Sequence, residues 1–166
     1  MGYYDPEELL KLGFNSVGEN VKVSQQAKIY DAEKISLGSN SRIDDFCVIS
    51  GSVTLGRYCH VTPMCLVAGG VPGVVLEDFA TLAYGTKVFA QSDDYSGRSM
   101  VNSLIPKKFK DEYLARVEIQ KHSIVGANST IMPGVTLAEG TAVGSMSLVL
   151  SSTSPWGIYA GCPARR

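Results

Sequence analysis

From Val17 onward an aliphatic residue recurs at every sixth position. Val17, Val23 and Ile29 come first, and after a two-residue slip follow Leu37, Ile43, Ile49, Leu55, Val61 and Val67. Three inserted residues precede Leu76, Leu82 and Val88, and a long interruption precedes Ile119, Val125, Ile131, Leu137, Val143 and Val149. Four positions after each aliphatic the residue is usually small or β-branched, as at Ala27, Ser41, Cys47, Cys59, Cys65, Ala80, Thr86, Ser123, Ser129, Thr141 and Ser147. A helical period would scatter these positions around a cylinder, whereas a six-residue step stacks like on like. The pattern predicts an all-β solenoid of short strands, with three hexads to a turn and about six coils.

Segments outside the repeat read differently. In Tyr3–Phe14, Asp5 is a helix cap, Pro6 suits the first helical position and Glu8 completes a capping box. Leu9, Leu10 and Leu12 supply an apolar side, so a short helix is expected to lid the first coil. The run AGGVPGVV after Val67 is a Gly/Pro corner without the spacing of a phosphate loop or a dinucleotide fingerprint. One domain over 1–166 results: a cap at 1–16, coils at 17–93 and 119–150, a loop at 94–118 and a tail at 151–166. A long polar excursion from a rigid scaffold is where binding and catalytic groups concentrate, so this loop is the candidate active-site loop.

Charge and composition narrow the function. A formal net charge of −1 gives no broad attraction for nucleic acid or an anionic membrane surface, so any cationic site is local. No stretch reaches the ~18 apolar residues of a membrane span, and the acidic start lacks the order of a signal peptide, so a cytoplasmic protein is expected. Solenoids bury side chains mainly between rungs and leave flat faces, so self-assembly is expected. Cys47, Cys59 and Cys65 occupy the small slot of the repeat, where packing accounts for them, and Cys162 has no CxxC partner. The chain has two His in total, and neither occupies the HxxxxH spacing of solenoid zinc sites that take two His from one subunit and one from its neighbour, so no metal is expected.

Repeats of the form [LIV]-[GAED]-x-x-[STAVC]-x, the single long loop after the fourth coil and the ending Tyr159-Ala160-Gly161-Cys162-Pro163-Ala164-Arg165 resemble the hexapeptide-repeat acyltransferases over residues 17–166. The resemblance implies a left-handed parallel β-helix of triangular section, a homotrimer with active sites between subunits, and an acetyl- or other acyl-coenzyme A donor lying along the late coils. RIDDFCVISG at 42–51, SDDYSG at 92–97 and KHSIVGAN at 121–128 look closest to enzymes that N-acylate nucleotide-linked amino-deoxy sugars, precursors of surface polysaccharides such as O-antigen. Sugar O-acetyltransferases of the same family, and a non-catalytic solenoid scaffold, are the alternatives.

Many O-acetyltransferases of this family carry a catalytic His in the loop; this loop has none, and Asp93 and Asp94 stand there instead. A carboxylate is a poor base for a hydroxyl, while a deprotonated amine already has a nucleophilic lone pair, so the exchange favours N-acylation. Asp93, with Asp94 second, is the candidate to hold the amine in line; Asp-Asp-Tyr-Ser-Gly is equally good turn chemistry. His60 and His122 read as corner residues of the repeat. Tyr84, Tyr95, Arg98, Glu118 and Lys121 are candidates for contacting the nucleotide-linked sugar by stacking or charge. Gly126, Ala127, Gly144 and Ser145, small residues at late corners, would let a pantetheine arm approach backbone amides, and Arg165 is the family's cation for coenzyme A.

Overall fold

The computed structural model describes residues 2–166, and the hexads fold as their spacing predicts. Three parallel sheets form the faces of a triangular solenoid that fits the left-handed β-helix. The first face stacks Ser16–Val17, Ile35–Leu37, Val53–Leu55, Val74–Leu76, Val117–Ile119 and Thr136–Leu137. The second runs from Lys22–Val23 through Arg42–Ile43, His60–Val61, Thr81–Leu82, Ile124–Val125 and Ala142–Val143 to Ile158–Gly161. The third contains Lys28–Ile29, Val48–Ser50, Leu66–Ala68, Lys87–Phe89, Thr130–Ile131 and Leu148–Val149.

Register follows the repeat. Leu55 lies between Leu37 and Leu76, Leu82 between Val61 and Val125, and Val88 between Val67 and Ile131. These aliphatic side chains point inward and are fully buried, each contributing about 1.5–3 kcal/mol of transfer free energy. The small slot does more than fit. Cys47 Sγ donates to Thr62 O at 3.0 Å, Cys59 Sγ to Glu77 O at 3.1 Å and Thr86 Oγ1 to Ala83 O at 2.6 Å, so slot side chains satisfy carbonyls at the turns. Burial pushes the Cys59 thiol up to about 11, which keeps it protonated and inert.

The helix at Pro6–Lys11 carries the expected capping box: Glu8 N donates to Asp5 Oδ1 at 2.8 Å and Asp5 N to Glu8 Oε2 at 3.0 Å. Leu9 is buried and Leu12 packs against the core, but Leu10 faces solvent, because a six-residue helix can turn only one narrow stripe inward. At the other end, Ile158–Gly161 begins a seventh coil and turns back on itself, pairing antiparallel with Ala164–Arg165 across the cis Cys162–Pro163 bond.

The long excursion leaves the end of the fourth coil. Gln91–Ser92 pairs antiparallel with Tyr113–Leu114, so the excursion is closed at its root by a short hairpin ladder. The solenoid resumes at Val117, which pairs with Val74, so Glu118 belongs to a strand of the first face and not to the loop.

Candidate functional site

Where the loop folds over the third face it roofs a cleft of about 460 Å³. Its wall is made of outward-facing residues of successive coils, Val48 and Leu66 with Phe89 and Met132. Gln91, Ser92 and Asp93 lie at the loop root, and Tyr95, Ser103 and Glu112 come from the loop itself.

The two adjacent aspartates part company here. Asp93 lines the cleft, and the contact on its backbone carbonyl comes from Ser92 Oγ at 3.2 Å. Asp94 turns into the loop: its Oδ1 accepts from Ser96 N at 2.8 Å, and its Oδ2 from Ser99 N at 3.1 Å and Ser99 Oγ at 3.0 Å. The Ser96 bonds first, then those from Ser99, hold the Asp94 carboxyl down at about 2. The pair therefore divides: Asp94 builds the turn, and Asp93 faces the cleft.

The other sequence candidates distribute unevenly. Tyr95 joins Asp93 in the cleft. Tyr84 sits exposed at the corner between the second and third faces, where its carbonyl accepts from Asn128 N. Arg98 Nε donates to Ser96 Oγ at 2.9 Å, and Glu118 pairs with Arg116 at 2.9 Å on the first face. Lys121 occupies the next corner, its N–H on Glu77 Oε2. Gly126, Ala127, Gly144 and Ser145 gather at one corner of the fifth and sixth coils; a Cβ on Gly126 would meet Ser145 N at 2.5 Å, so coil packing itself demands glycine there. Arg165 lies in the closing hairpin, its guanidinium on Ala164 O.

Sequence reasoning did not single out Glu112, Ser103 or the apolar wall. The wall was readable: counting coils places Ser50 beside Ala68, Ala68 beside Phe89, and Val48 beside Leu66, on the outward side of the third face. Loop residues such as Glu112 obey no repeat and carry no such signal. Glu112 is tied to Lys110, 2.8 Å away, whose side chain is only 6% exposed.

Both histidines serve other structures. His122 lies in an aromatic column on the corner between the first and second faces, its ring 5.0 Å from Phe79 and 6.3 Å from Trp156, with Tyr58 beyond Phe79 at 5.4 Å. His60 lies 2.7 Å from Asp44, which Arg42 and Tyr3 also contact.

No family model matches the chain. Over 99% of its length it is 36% identical to the dTDP-4-amino-4,6-dideoxy-D-glucose acyltransferase of Escherichia coli, covering 87% of that protein. The chain belongs to the dTDP-amino-sugar acyltransferase family. Its fold superposes with a TM-score of 0.98 on a serine-to-alanine variant of AntD, an N-acyltransferase of Bacillus cereus, at 46% identity over 99% of this chain and 88% of that one. That AntD structure holds dTDP-4-amino-4,6-dideoxyglucose and coenzyme A, and another, at 45% identity, holds dTDP and 3-hydroxybutyryl-CoA. The polysialic-acid-specific acetyltransferase NeuO, at 20% identity and a TM-score of 0.72 over 90% of this chain and 69% of that one, shares the fold. Among the described residues no helix is long and apolar enough to cross a membrane.

Proposed function

We propose that this chain moves a short acyl group from an acyl-coenzyme A to the amino nitrogen of a dTDP-linked amino-deoxy sugar, with both substrates bound together. The observation that carries this reading is a match over 99% of the chain to an N-acyltransferase that holds a dTDP-amino sugar and coenzyme A, in a chain whose loop-roofed cleft presents Asp93, a carboxylate the neighbouring turn does not consume.

In this mechanism the neutral amine attacks the thioester carbonyl while Asp93 accepts a hydrogen bond from it and fixes its approach. Collapse of the tetrahedral adduct forms the amide and breaks the C–S bond; the departing thiolate takes the surplus amine proton. Orientation supplies the rate, since an amine needs no base strong enough to deprotonate a hydroxyl. Asp94 acts one step removed, by holding the turn that presents Asp93. The late-coil corner of Gly126, Ala127, Gly144 and Ser145, with Arg165, takes the coenzyme A, and Tyr95 borders the sugar. The enzyme works as a homotrimer in the cytoplasm, supplying an acylated sugar for surface polysaccharide.

Steady-state kinetics of Asp93→Asn on the dTDP-amino sugar tests the central role. We expect kcat to fall by about tenfold or more, equivalent to roughly 1.4 kcal/mol of transition-state stabilisation. A variant within about a factor of two of the parent overturns the role of Asp93. Separately, acetyl-coenzyme A should raise the melting temperature by mass action, which a scaffold would not show.

A further inference from the structure

A second carboxylate reaches the cleft, and it is held differently from Asp93. Lys110 Nζ donates to Glu112 Oε1 at 2.8 Å, with the Lys110 side chain 6% exposed and that of Glu112 26%. Every other ion pair among the described residues has a partner at least 33% exposed. Apolar side chains of similar size often serve stability as well as a buried pair does, so stability is a weak account of this one. Its place is a better account. The hairpin at the loop root pairs Ser92 with Tyr113, and the next position along that register sets Asp93 opposite Glu112. Opposed residues of an antiparallel pair point to the same side, and both of these line the cleft.

Two uncompensated carboxylates side by side would hinder the reaction. An amino sugar is in large part an ammonium ion in neutral water, and attack on a thioester needs the neutral amine. Each nearby carboxylate stabilises the ammonium form and raises the pH at which it gives up its proton. One such charge is needed to aim the amine; a second only holds the proton on. Lys110 cancels that second charge and still leaves Glu112 Oε2 without a partner among the described residues, so a hydrogen-bond acceptor remains. Asp93 has no cation paired with it. The donor suited to a free acceptor beside the bound amine is the ring hydroxyl next to it.

We infer that Lys110 is a positioning residue for the transfer: it cancels the charge of Glu112, which accepts a hydrogen bond from the hydroxyl beside the amine. The amine then meets the single uncompensated charge of Asp93 and can lose its proton to solvent. The inference rests on the proposed activity and adds to it the pair that sets its pH dependence. Asp93, Glu112 and Tyr95 are the titratable groups lining the cleft, and the coil wall of Val48, Leu66, Phe89 and Met132 brings none. Lys107, Lys108 and Asp111 flank the pair along the loop and are exposed, while Asp94 is turned into its contacts with Ser96 and Ser99.

The pH profile of kcat separates this role from one in packing alone. Lys110→Met leaves Glu112 uncompensated and should move the acid limb of the profile up by about one pH unit or more. The double variant Lys110→Met with Glu112→Leu removes both charges and should return the limb to its parental position. It should also raise KM for the dTDP-amino sugar by about tenfold, with KM for acetyl-coenzyme A within about twofold of the parent. Because it exchanges a buried pair for apolar groups of similar size, it reports even if Lys110→Met disturbs the loop. An unmoved limb in folded Lys110→Met, a limb still displaced in the double variant, or a sugar KM there within about twofold of the parent overturns the inference. Calorimetry of sugar binding in two buffers of different ionisation enthalpy counts the protons released and needs no turnover. At about pH 7, Lys110→Met should release fewer than the parent and the double variant as many. A parent that binds the sugar but transfers no acyl group overturns the activity and leaves the pair to be judged by the calorimetry. One that binds no sugar overturns both.

Discussion

Asp93 and Asp94 are neighbours of identical chemistry with opposite fates, and that difference predicts different phenotypes. Asp94 has its carboxyl held at about 2 by Ser96 and Ser99, against about 3.9 for an unfolded carboxylate. A depressed folded pKa contributes order that is complete above the unfolded value and lost as pH falls through the folded one. The turn at Ser96–Ser99 should therefore keep its amide protection above about pH 4 and lose it toward pH 2, with hydrogen exchange at those two amides as the readout. Asp94→Asn should remove that pH dependence while sparing the solenoid, whereas Asp93→Asn should leave the turn intact and lower kcat. The residue types in SDDYSG put Asp93 ahead of Asp94 as the candidate and also marked a turn, but that the turn would take Asp94 alone was not legible, because it depends on serine contacts that no spacing encodes.

Among the elements, the coils were legible almost rung by rung, since a six-residue step fixes which side chain meets which eighteen residues later. Leu82→Ala empties a slot between Val61 and Val125 and should cost about 2–5 kcal/mol, measured by urea unfolding. The corner column was not legible, for its last member falls in the tail, outside the repeat. Gly140 (φ +69) occupies the rung between His122 and Trp156, and a Cβ there would sit 2.2 Å from Trp156 Cε3. Trp156 closes the column only because that rung is empty of side chain. Gly140→Ala should lose roughly 1–2 kcal/mol from the left-handed backbone alone, more with the displaced ring. Because Trp156 is the one tryptophan, its fluorescence reports the change: a red shift with a lowered Tm is expected, and unaltered emission would refute the contact.

For the whole molecule, one copy carries much exposed apolar surface around the loop. The loop exposes Tyr95 (89%), Leu104 (86%), Met100, Val101 and Phe109, and the third face turns Val48, Leu66 and Phe89 outward beside it. Surfaces of this kind mark contact with another protein. Leu104→Glu should shift the sedimentation profile toward smaller species while leaving far-UV dichroism unchanged, and an unaltered profile would place that contact elsewhere. The repeat allowed the neighbours in the cleft wall to be counted, but not that they form a cleft, because nothing in the period shows the loop above those outward-facing apolar positions.

The two ends of the solenoid are stopped by unlike devices, a capped helix at one and a strand folded back on itself at the other. On the second face both edges are thereby taken: Tyr4 N donates to Val23 O at one end, and Ile158–Gly161 folds onto Ala164–Arg165 at the other. A face closed in this way is a poor template for end-to-end stacking of one solenoid on another.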